Sequence, residues 1–211
     1  MKKFLMLSAA AYAMTIAAHA ADVAPVVMDQ KDWFVKIGGS YVMPDSNGTL
    51  GLPPRFGGPQ TITVGNAFTG TVEAGRFFTD RFSVSLTGGI PPTHEIFSNG
   101  VDTGTTFTMG AFALDAQFHL VNNDKFDAYI GGGIAYNIYF SSTNPGITSA
   151  NNGFAPILQA GAEYKINKSF GIFADVKKEF FSTTINYVVP AFSFQGRLDP
   201  LVVTAGLAFH F

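Results

Sequence analysis

The chain has no cysteine among its 211 residues, so it forms no disulfide and offers no cysteine for a lipoprotein anchor. Charged residues are scarce, at 13%, and the basic ones are not clustered, which argues against a nucleic-acid partner. Beyond the first twenty residues, no apolar run approaches the length of a membrane-spanning helix. These absences exclude lipoproteins, disulfide-stabilised domains and helical membrane proteins.

Apolar residues are nevertheless abundant, at 47%, with 22 Phe and 23 Gly. Without a spanning helix, this hydrophobicity has to be distributed by alternation along strands. In residues 201–211 every second position is apolar, and the segment is long enough to cross a membrane as a strand. Its aromatic residues Phe209 and Phe211 resemble the signal by which barrel-insertion machinery recognises outer-membrane barrels.

The first twenty residues predict a secretory signal peptide. Two lysines precede an apolar stretch over residues 4–18, and Ala18, His19 and Ala20 give a small-x-small cleavage pattern. We expect cleavage after Ala20, a short periplasmic arm over residues 21–31 and a barrel over residues 32–211. Both termini would lie in the periplasm of a Gram-negative cell, with the barrel in its outer membrane.

Short polar breaks recur near residues 80, 123 and 168. Each interval of about 45 residues fits two spanning strands and one longer loop, and residues 33–80 form a further unit. The spacing predicts an all-β fold, an eight-stranded antiparallel transmembrane β-barrel with short periplasmic turns. Segments 44–60, 91–104, 141–153 and 187–196 are rich in Gly, Pro, Asn and Ser, which predicts longer extracellular loops.

Charge predicts which strand face points into the barrel. One phase of the alternation carries nine charged side chains, whereas the other carries only Arg76 and Lys178. Because a charge facing lipid costs about 2–4 kcal/mol, the charged phase is predicted to face the lumen. Arg76 can snorkel beside a turn, and Lys178 has no explanation at this level. The inward charged residues are Lys36, Glu73, Asp115, Asp127, Glu163, Lys165, Asp175, Lys177 and Glu179.

The interior of an eight-stranded barrel is only wide enough for its own side chains, and buried charges need partners. We therefore predict a network that plugs the lumen, formed by Lys36, Glu73, Asp115, Glu163, Lys165, Asp175 and Lys177. The alternative is a catalytic acid/base pair among the carboxylates, but no spacing selects two of them. No paired histidine spacing predicts a metal site, and no His-Ser pairing of lipid-modifying barrels occurs along a strand. We predict no enzyme activity and no cofactor.

The predicted loops are unusually apolar. Several apolar side chains converging over the barrel mouth would make a pocket for a small hydrophobic ligand. The alternative is that they pack on each other, on lipopolysaccharide or on extended strands. The candidate pocket residues are Leu52, Phe56, Phe97, Phe154, Phe192 and Phe194.

Several segments resemble the OmpW family of small outer-membrane barrels: residues 126–136, 159–164 and 175–178, and most specifically Arg-Leu-Asp-Pro at 197–200. The resemblance implies an eight-stranded barrel with a narrow, largely apolar lumen, a lateral route into the membrane and an aromatic at the rim, here Phe154. It also implies passage of small hydrophobic molecules. Asp127 departs from the proline usual at that position, and Ser85 and Thr87 are more polar than such a lumen implies.

The leading hypothesis is passive uptake of a hydrophobic molecule, which enters from outside and leaves sideways into the membrane. The alternative is a structural or surface-interaction barrel whose loops bind a host, phage or lipopolysaccharide partner. In either case outer-membrane lipids and the insertion machinery are expected partners. A general porin is disfavoured because eight strands leave no wide aqueous pore.

Overall fold

The computed structural model describes residues 33–46, 48–51, 58–143, 147–187 and 192–211. The predicted signal peptide, the arm at 21–31, Leu52 and Phe56 lie outside these residues. In the part of the chain that is described, no helix is long and apolar enough to cross a membrane. The strands are β1 (Trp33–Met43), β2 (Gly48–Gly51), β3 (Pro59–Val64), β4 (Ala67–Thr79), β5 (Phe82–Gly89), β6 (Thr93–Ser98), β7 (Val101–Asn122), β8 (Phe126–Ser142), β9 (Ile147–Ala150), β10 (Gly153–Lys165), β11 (Phe170–Glu179), β12 (Ser182–Tyr187), β13 (Phe192–Arg197) and β14 (Leu201–His210).

Eight of these strands close into an antiparallel barrel. They pair in the order β1, β4, β5, β7, β8, β10, β11 and β14, and β14 returns to β1. At the closing seam the backbones of Trp33 and Phe211 exchange two hydrogen bonds of 3.1 and 3.0 Å. The predicted eight-stranded antiparallel barrel is confirmed.

Three tight turns connect β4 to β5, β7 to β8 and β10 to β11, as the polar breaks near residues 80, 123 and 168 predict. Asn123 Oδ1 accepts hydrogen bonds from the backbone N–H groups of Lys125 and Phe126, at 3.0 and 2.8 Å. Asn167 Oδ1 likewise accepts hydrogen bonds from the backbone N–H groups of Ser169 and Phe170. Such side-chain-to-backbone bonds stabilise turns locally. The barrel end that carries these turns is called the turn end, and the opposite end the loop end.

At the loop end, strands continue where the sequence predicts loops. β6 and the first residues of β7 lie within 91–104, and β13 occupies much of 187–196. β2, β3 and β6 prolong the barrel wall above β7, whereas β9, β12 and β13 form a separate three-stranded sheet. The predicted loop segments therefore contain short strands, and their alternation is difficult to see among the abundant Gly and Pro. One example is the run in which His94 and Ile96 are buried and Thr93 and Glu95 are exposed.

The two faces of the barrel wall follow the predicted phases. All nine charged side chains of the inward phase are buried, Asp115 completely. The outer face carries exposed aromatic residues in two belts, as lipid-facing walls of membrane barrels do. Trp33, Phe78, Phe82, Phe118, Tyr164 and Phe170 form the belt at the turn end, and Tyr41, Phe68, Phe112, Tyr136, Phe154 and Phe180 form the belt at the loop end.

The two outward charges have explanations in the structure. The Arg76 guanidinium lies 5.4 Å from the Trp33 ring centroid and 5.7 Å from that of Phe78, within the turn-end belt. The Lys178 ammonium donates a hydrogen bond to the carbonyl of Asp199 at the loop end. Both cations therefore lie at belt level and avoid the middle of the apolar wall.

Candidate functional site

The lumen contains a charged layer centred on Lys177 of β11. Its ammonium lies 2.5 Å from Asp115 Oδ2, 3.2 Å from Glu73 Oε2 and 2.8 Å from Thr87 Oγ1. These partners come from β7, β4 and β5, so one side chain links strands on opposite sides of the barrel. Alternation along each strand places all four groups inward.

Tyr129 continues this layer across the lumen. Its hydroxyl accepts a 3.1 Å hydrogen bond from Lys36 and donates one of 3.1 Å to Asp175, whose same oxygen accepts a 2.7 Å bond from Gln159. Gly161 leaves the space for this ring, since a Cβ there would stand 2.4 Å from the Tyr129 hydroxyl oxygen. Together with the Lys177 contacts, these bonds form what we call the lumen plug.

Five of the seven predicted network residues meet in the lumen plug: Lys36, Glu73, Asp115, Asp175 and Lys177. Glu163 and Lys165 lie nearer the turn end instead. Glu163 Oε1 is 2.7 Å from His210 Nε2, and Lys165 donates a 2.6 Å hydrogen bond to Asn122. The separation follows from their position in β10, several residues beyond Gln159 towards the turn.

Below the plug, three residues form a chain with the connectivity of a serine-hydrolase triad. Ser83 Oγ is 2.9 Å from His119 Nε2, and His119 Nδ1 is 2.7 Å from Asp127 Oδ1. All three side chains are enclosed, and the His119 ring packs 4.6 Å from that of Phe77. Their arrangement satisfies buried polar groups beneath the plug.

Above the lumen plug lies a cavity of about 140 Å³. An engineered apolar cavity of about 150 Å³ binds benzene, so the space suits one ring. Lys36, Glu73, Asp175 and Lys177 form its polar floor. Its apolar walls include Val42, Ile90, Phe107, Met109, Ala113, Phe173, Phe181 and Leu198.

The barrel wall is interrupted beside this cavity. The β5–β7 ladder ends at the pair Thr87 and Ala113, and β6 resumes pairing with β7 only at Thr93 and Thr108. Residues 88–92 lie between these points, and their two prolines have no N–H to donate. The Ile90 N–H bonds instead to Gly70 of β4, at 3.0 Å, and the Met109 N–H donates to the Pro92 carbonyl at 3.2 Å, where pairing resumes. We call the stretch of residues 88–91 opposite residues 110–112 the wall interruption.

The wall interruption lies between the cavity and the lipid-facing side. Gly88, Gly89, Ile90 and Gly110 belong to the cavity lining, and Ile90 is also 71% exposed. The Phe112 ring stands 3.0 Å from where a Cβ of Gly88 would be, and the Pro91 and Phe140 rings stand 3.1 and 3.3 Å from a Cβ of Gly110. Among the described residues, these apolar rings, and no charged side chain, therefore cover Gly88 and Gly110.

The Arg-Leu-Asp-Pro motif builds one side of the cavity. Asp199 Oδ1 accepts a 2.9 Å hydrogen bond from the backbone N–H of Phe181, and its carboxylate pairs with Arg197. The Leu198 N–H bonds to the Phe181 carbonyl at 2.9 Å. These bonds hold Leu198 and Phe181 against the cavity.

Of the predicted pocket residues, Phe154 and Phe97 can be compared with the cavity, and neither belongs to its lining. Phe154 is 69% exposed on the outer face, where its ring packs 4.8 Å from that of Tyr136. As a correction, it does not line the cavity, because alternation puts it in phase with the lipid-facing Leu158. Phe97 is half-buried on β6 and is not in the cavity lining. Phe192 and Phe194 lie on β13, opposite Tyr187 and Ile185.

Four cavity-lining residues are not among the predicted pocket residues: Phe107, Met109, Phe181 and Leu198. The sequence does contain a signal for Phe107 and Met109. They lie on the same face of β7 as Asp115 and Gln117, so extending the inward-facing alternation towards the start of β7 identifies them. For Phe181 and Leu198 no periodicity helps, because the bonds of the Arg-Leu-Asp-Pro motif position them. Among the described residues, no three His, Asp or Glu side chains could hold a metal ion.

Comparison with known proteins gives consistent matches. The model of the OmpW family matches residues 30–211. An uncharacterized outer-membrane protein, y4mB of Sinorhizobium fredii, is 24% identical over 99% of this chain and 92% of its own length. The dibenzothiophene metabolism operon protein PahQ of Pseudomonas aeruginosa is 24% identical over 89% of this chain and 92% of its own. The crystal structure of the outer membrane protein OprG from Pseudomonas aeruginosa superimposes with a TM-score of 0.72, at 20% identity, covering 86% of this chain and 96% of that one.

Proposed function

The chain belongs to the OmpW family of outer-membrane barrels, and we propose that it takes up small hydrophobic molecules passively and releases them sideways into the membrane. The observation that carries the proposal is the apolar cavity above a charged floor, beside the wall interruption. The loop end would face the exterior, and the turn end and both termini would face the periplasm.

The polarity of the cavity determines the direction of release. Its apolar walls favour an apolar ligand by about 25 cal/mol for each Å² removed from water. Continuing straight down would press that ligand into the ion pairs of Lys177 and Glu73, which would have to separate. Leaving through the wall interruption keeps the ligand in apolar surroundings throughout. The lumen plug thus opposes passage of water and ions while diverting the ligand.

The relatives add support for the class of ligand. PahQ is named after a dibenzothiophene metabolism operon, and dibenzothiophene is an apolar aromatic compound. Two features of this chain agree with an aromatic ligand, namely the cavity volume and the Phe107, Phe173 and Phe181 rings in its walls.

Filling the cavity tests uptake. Ala113 is buried in the cavity wall, whereas Ala116, three residues along the same strand, faces outward. We expect Ala113→Trp to reduce benzene uptake by intact cells to the level of cells without the barrel, because the indole occupies the ligand space. Ala116→Trp is the matched control and should leave uptake unchanged at equal folded protein. Undiminished uptake by Ala113→Trp would refute the proposal.

Blocking the wall interruption tests lateral release separately. A Cβ at Gly110 would stand 3.1 Å from the Pro91 ring and 3.3 Å from that of Phe140, so a large side chain there adds bulk beside these two rings. We expect Gly110→Trp to slow release of benzene into vesicles while its equilibrium binding persists. Equal release rates for wild type and variant would argue against the lateral route.

A surface-interaction role is the second candidate, supported by the separate sheet of β9, β12 and β13 at the loop end. In that case this sheet would contact lipopolysaccharide or a host or phage partner, while the aromatic belts contact lipid. Replacing residues 182–196 by a short Gly-Ser loop, which keeps Arg197, should then abolish binding without changing uptake. We propose no catalytic role for the enclosed Ser83, so Ser83→Ala should leave uptake unchanged.

A further inference from the structure

His94 of β6 is a buried polar residue in the apolar part of the cavity wall. Only 4% of the residue is exposed, and it belongs to the cavity lining with Phe107. Its ring stacks on that of Phe107, with 5.4 Å between centroids and 27° between planes. His94 therefore presents an imidazole next to any ligand that contacts the Phe107 ring.

The hydrogen bond of His94 fixes its tautomer. Nδ1 lies 2.8 Å from the carbonyl oxygen of Gly65. Because a carbonyl oxygen only accepts, Nδ1 carries the proton, and in the neutral ring Nε2 is then an acceptor. Burial lowers the pKa of His94 below its ordinary value, more than the Gly65 bond raises it. The neutral ring with a free lone pair on Nε2 is the form present at neutral pH.

Several other polar groups of the cavity lining are already engaged. Thr69 Oγ1 donates to the carbonyl of Ile90, and Ser40 and Thr71 share a 2.9 Å hydrogen bond. Among the described residues, the hydrogen bond from Nδ1 to Gly65 is the one that the His94 side chain makes. Nε2 is therefore available to accept a hydrogen bond from a ligand donor.

We propose that His94 selects, from the small hydrophobic molecules that the cavity admits, single-ring molecules carrying one hydroxyl group, such as phenols. The inference rests on the proposed uptake function and specifies its ligand. The hydroxyl donates a hydrogen bond to Nε2, and the ring packs among Phe107, Met109 and Phe181. A site with a hydrogen-bonding group discriminates against an analogue that lacks the matching group, since the buried group is then left unpaired.

The test compares two ligands of the same shape, p-cresol and p-xylene, which differ by a hydroxyl in place of a methyl group. Equilibrium binding to the full-length folded barrel in lipid nanodiscs is measured by calorimetry, and uptake is measured in cells. We expect wild-type protein to bind p-cresol about ten-fold or more tightly than p-xylene. His94→Phe keeps a ring against Phe107 but removes the acceptor, so the preference should disappear while p-xylene binding is retained.

Two further variants separate hydrogen bonding from folding. His94→Gln restores an acceptor and should recover part of the preference for p-cresol. Thr93→Val changes the adjacent exposed residue and should leave the preference intact. Equal binding of the two ligands to wild type, or a preference that survives in His94→Phe, overturns the role of His94 while leaving uptake standing. If neither ligand binds or enters in wild type, the proposed function itself fails.

Discussion

Replacing Lys177 by methionine tests whether the lumen plug stabilises the barrel. Methionine keeps much of the aliphatic stem but removes the ammonium that contacts Asp115, Glu73 and Thr87. Glu73 retains hydrogen bonds from Gln117 and Thr87. Asp115 does not, because its only hydrogen bond in the described structure is to Lys177 and its other carboxylate oxygen has no partner there. The variant thus leaves one fully buried carboxylate without a partner.

Removing one partner of a buried ion pair costs about 3–5 kcal/mol, whereas replacing both partners is close to neutral. We therefore expect Lys177→Met to lower the free energy of unfolding by about 3–5 kcal/mol. Adding Asp115→Asn should recover most of that loss, because the unpaired charge is gone. The adjacent Lys178→Met is the matched control, since Lys178 faces outward and is half-exposed. Its effect should be below about 1 kcal/mol.

Urea unfolding in phospholipid vesicles measures these changes. The chain has one tryptophan, Trp33 in the turn-end belt, and its fluorescence reports on the lipid environment of the wall. A shift of the midpoint at constant slope is read as a change in stability. A loss below about 1 kcal/mol for Lys177→Met, or a double variant as unstable as the single one, would refute the reasoning.

Three other predictions concern stability, measured in the same way. Gly206→Ala should lower the free energy of unfolding by about 1–3 kcal/mol through overpacking, because the new Cβ would stand 2.0 Å from a backbone carbonyl oxygen. Gly70→Ala should be tolerated, because its Cβ would stand 3.7 Å from the nearest neighbour. Equal effects of the two variants would contradict this prediction. Asp199→Val should lower the free energy of unfolding by about 1–3 kcal/mol, because the buried N–H of Phe181 loses its acceptor. Asp199→Asn should lower it less, because asparagine keeps an acceptor and tolerates the positive φ of 29° at this position. Burial lowers the pKa of His94 from its ordinary 6.5. The contribution of His94 to the free energy of unfolding is therefore complete above pH 6.5 and is lost as the pH falls from 6.5 towards the lowered pKa of the folded state. His94→Gln should flatten the dependence of stability on pH in this range, and an unchanged slope would contradict the prediction.

The fold could be predicted from the sequence because the side chains that face lipid have to be apolar, which makes polar and apolar residues alternate strictly along each strand. Inward Lys177 and outward Lys178 are neighbours, and the sequence pattern already assigns them to opposite faces. The turns could be predicted for a similar local reason, since Asn123 and Asn167 bond to backbone within three residues. These features depend on short-range geometry that a single sequence records.

The cavity could not be predicted to the same extent. Phe154 belongs to the phase that faces lipid, yet its place in an apolar segment near a loop suggested a pocket. The wall interruption depends on which residues of β7 stand opposite Pro91 and Pro92, and that register is a tertiary property. The polar contacts of His94 likewise require β3, β6 and the Gly65 carbonyl to be placed together, over distances that periodicity does not cover.

The seam between β1 and β14 has a consequence for how the barrel assembles. Every other pair of neighbouring barrel strands is consecutive among the eight in chain order, so most of the sheet can form by adding hairpins one at a time. The seam joins the first barrel strand to the last, so its contacts have the longest sequence separation. Contacts of long sequence separation form slowly during folding. Until β14 arrives, β1 and β11 remain as unpaired sheet edges, which are sites for pairing with other chains. A catalyst of assembly would therefore act most effectively by shielding these two edges and bringing them together.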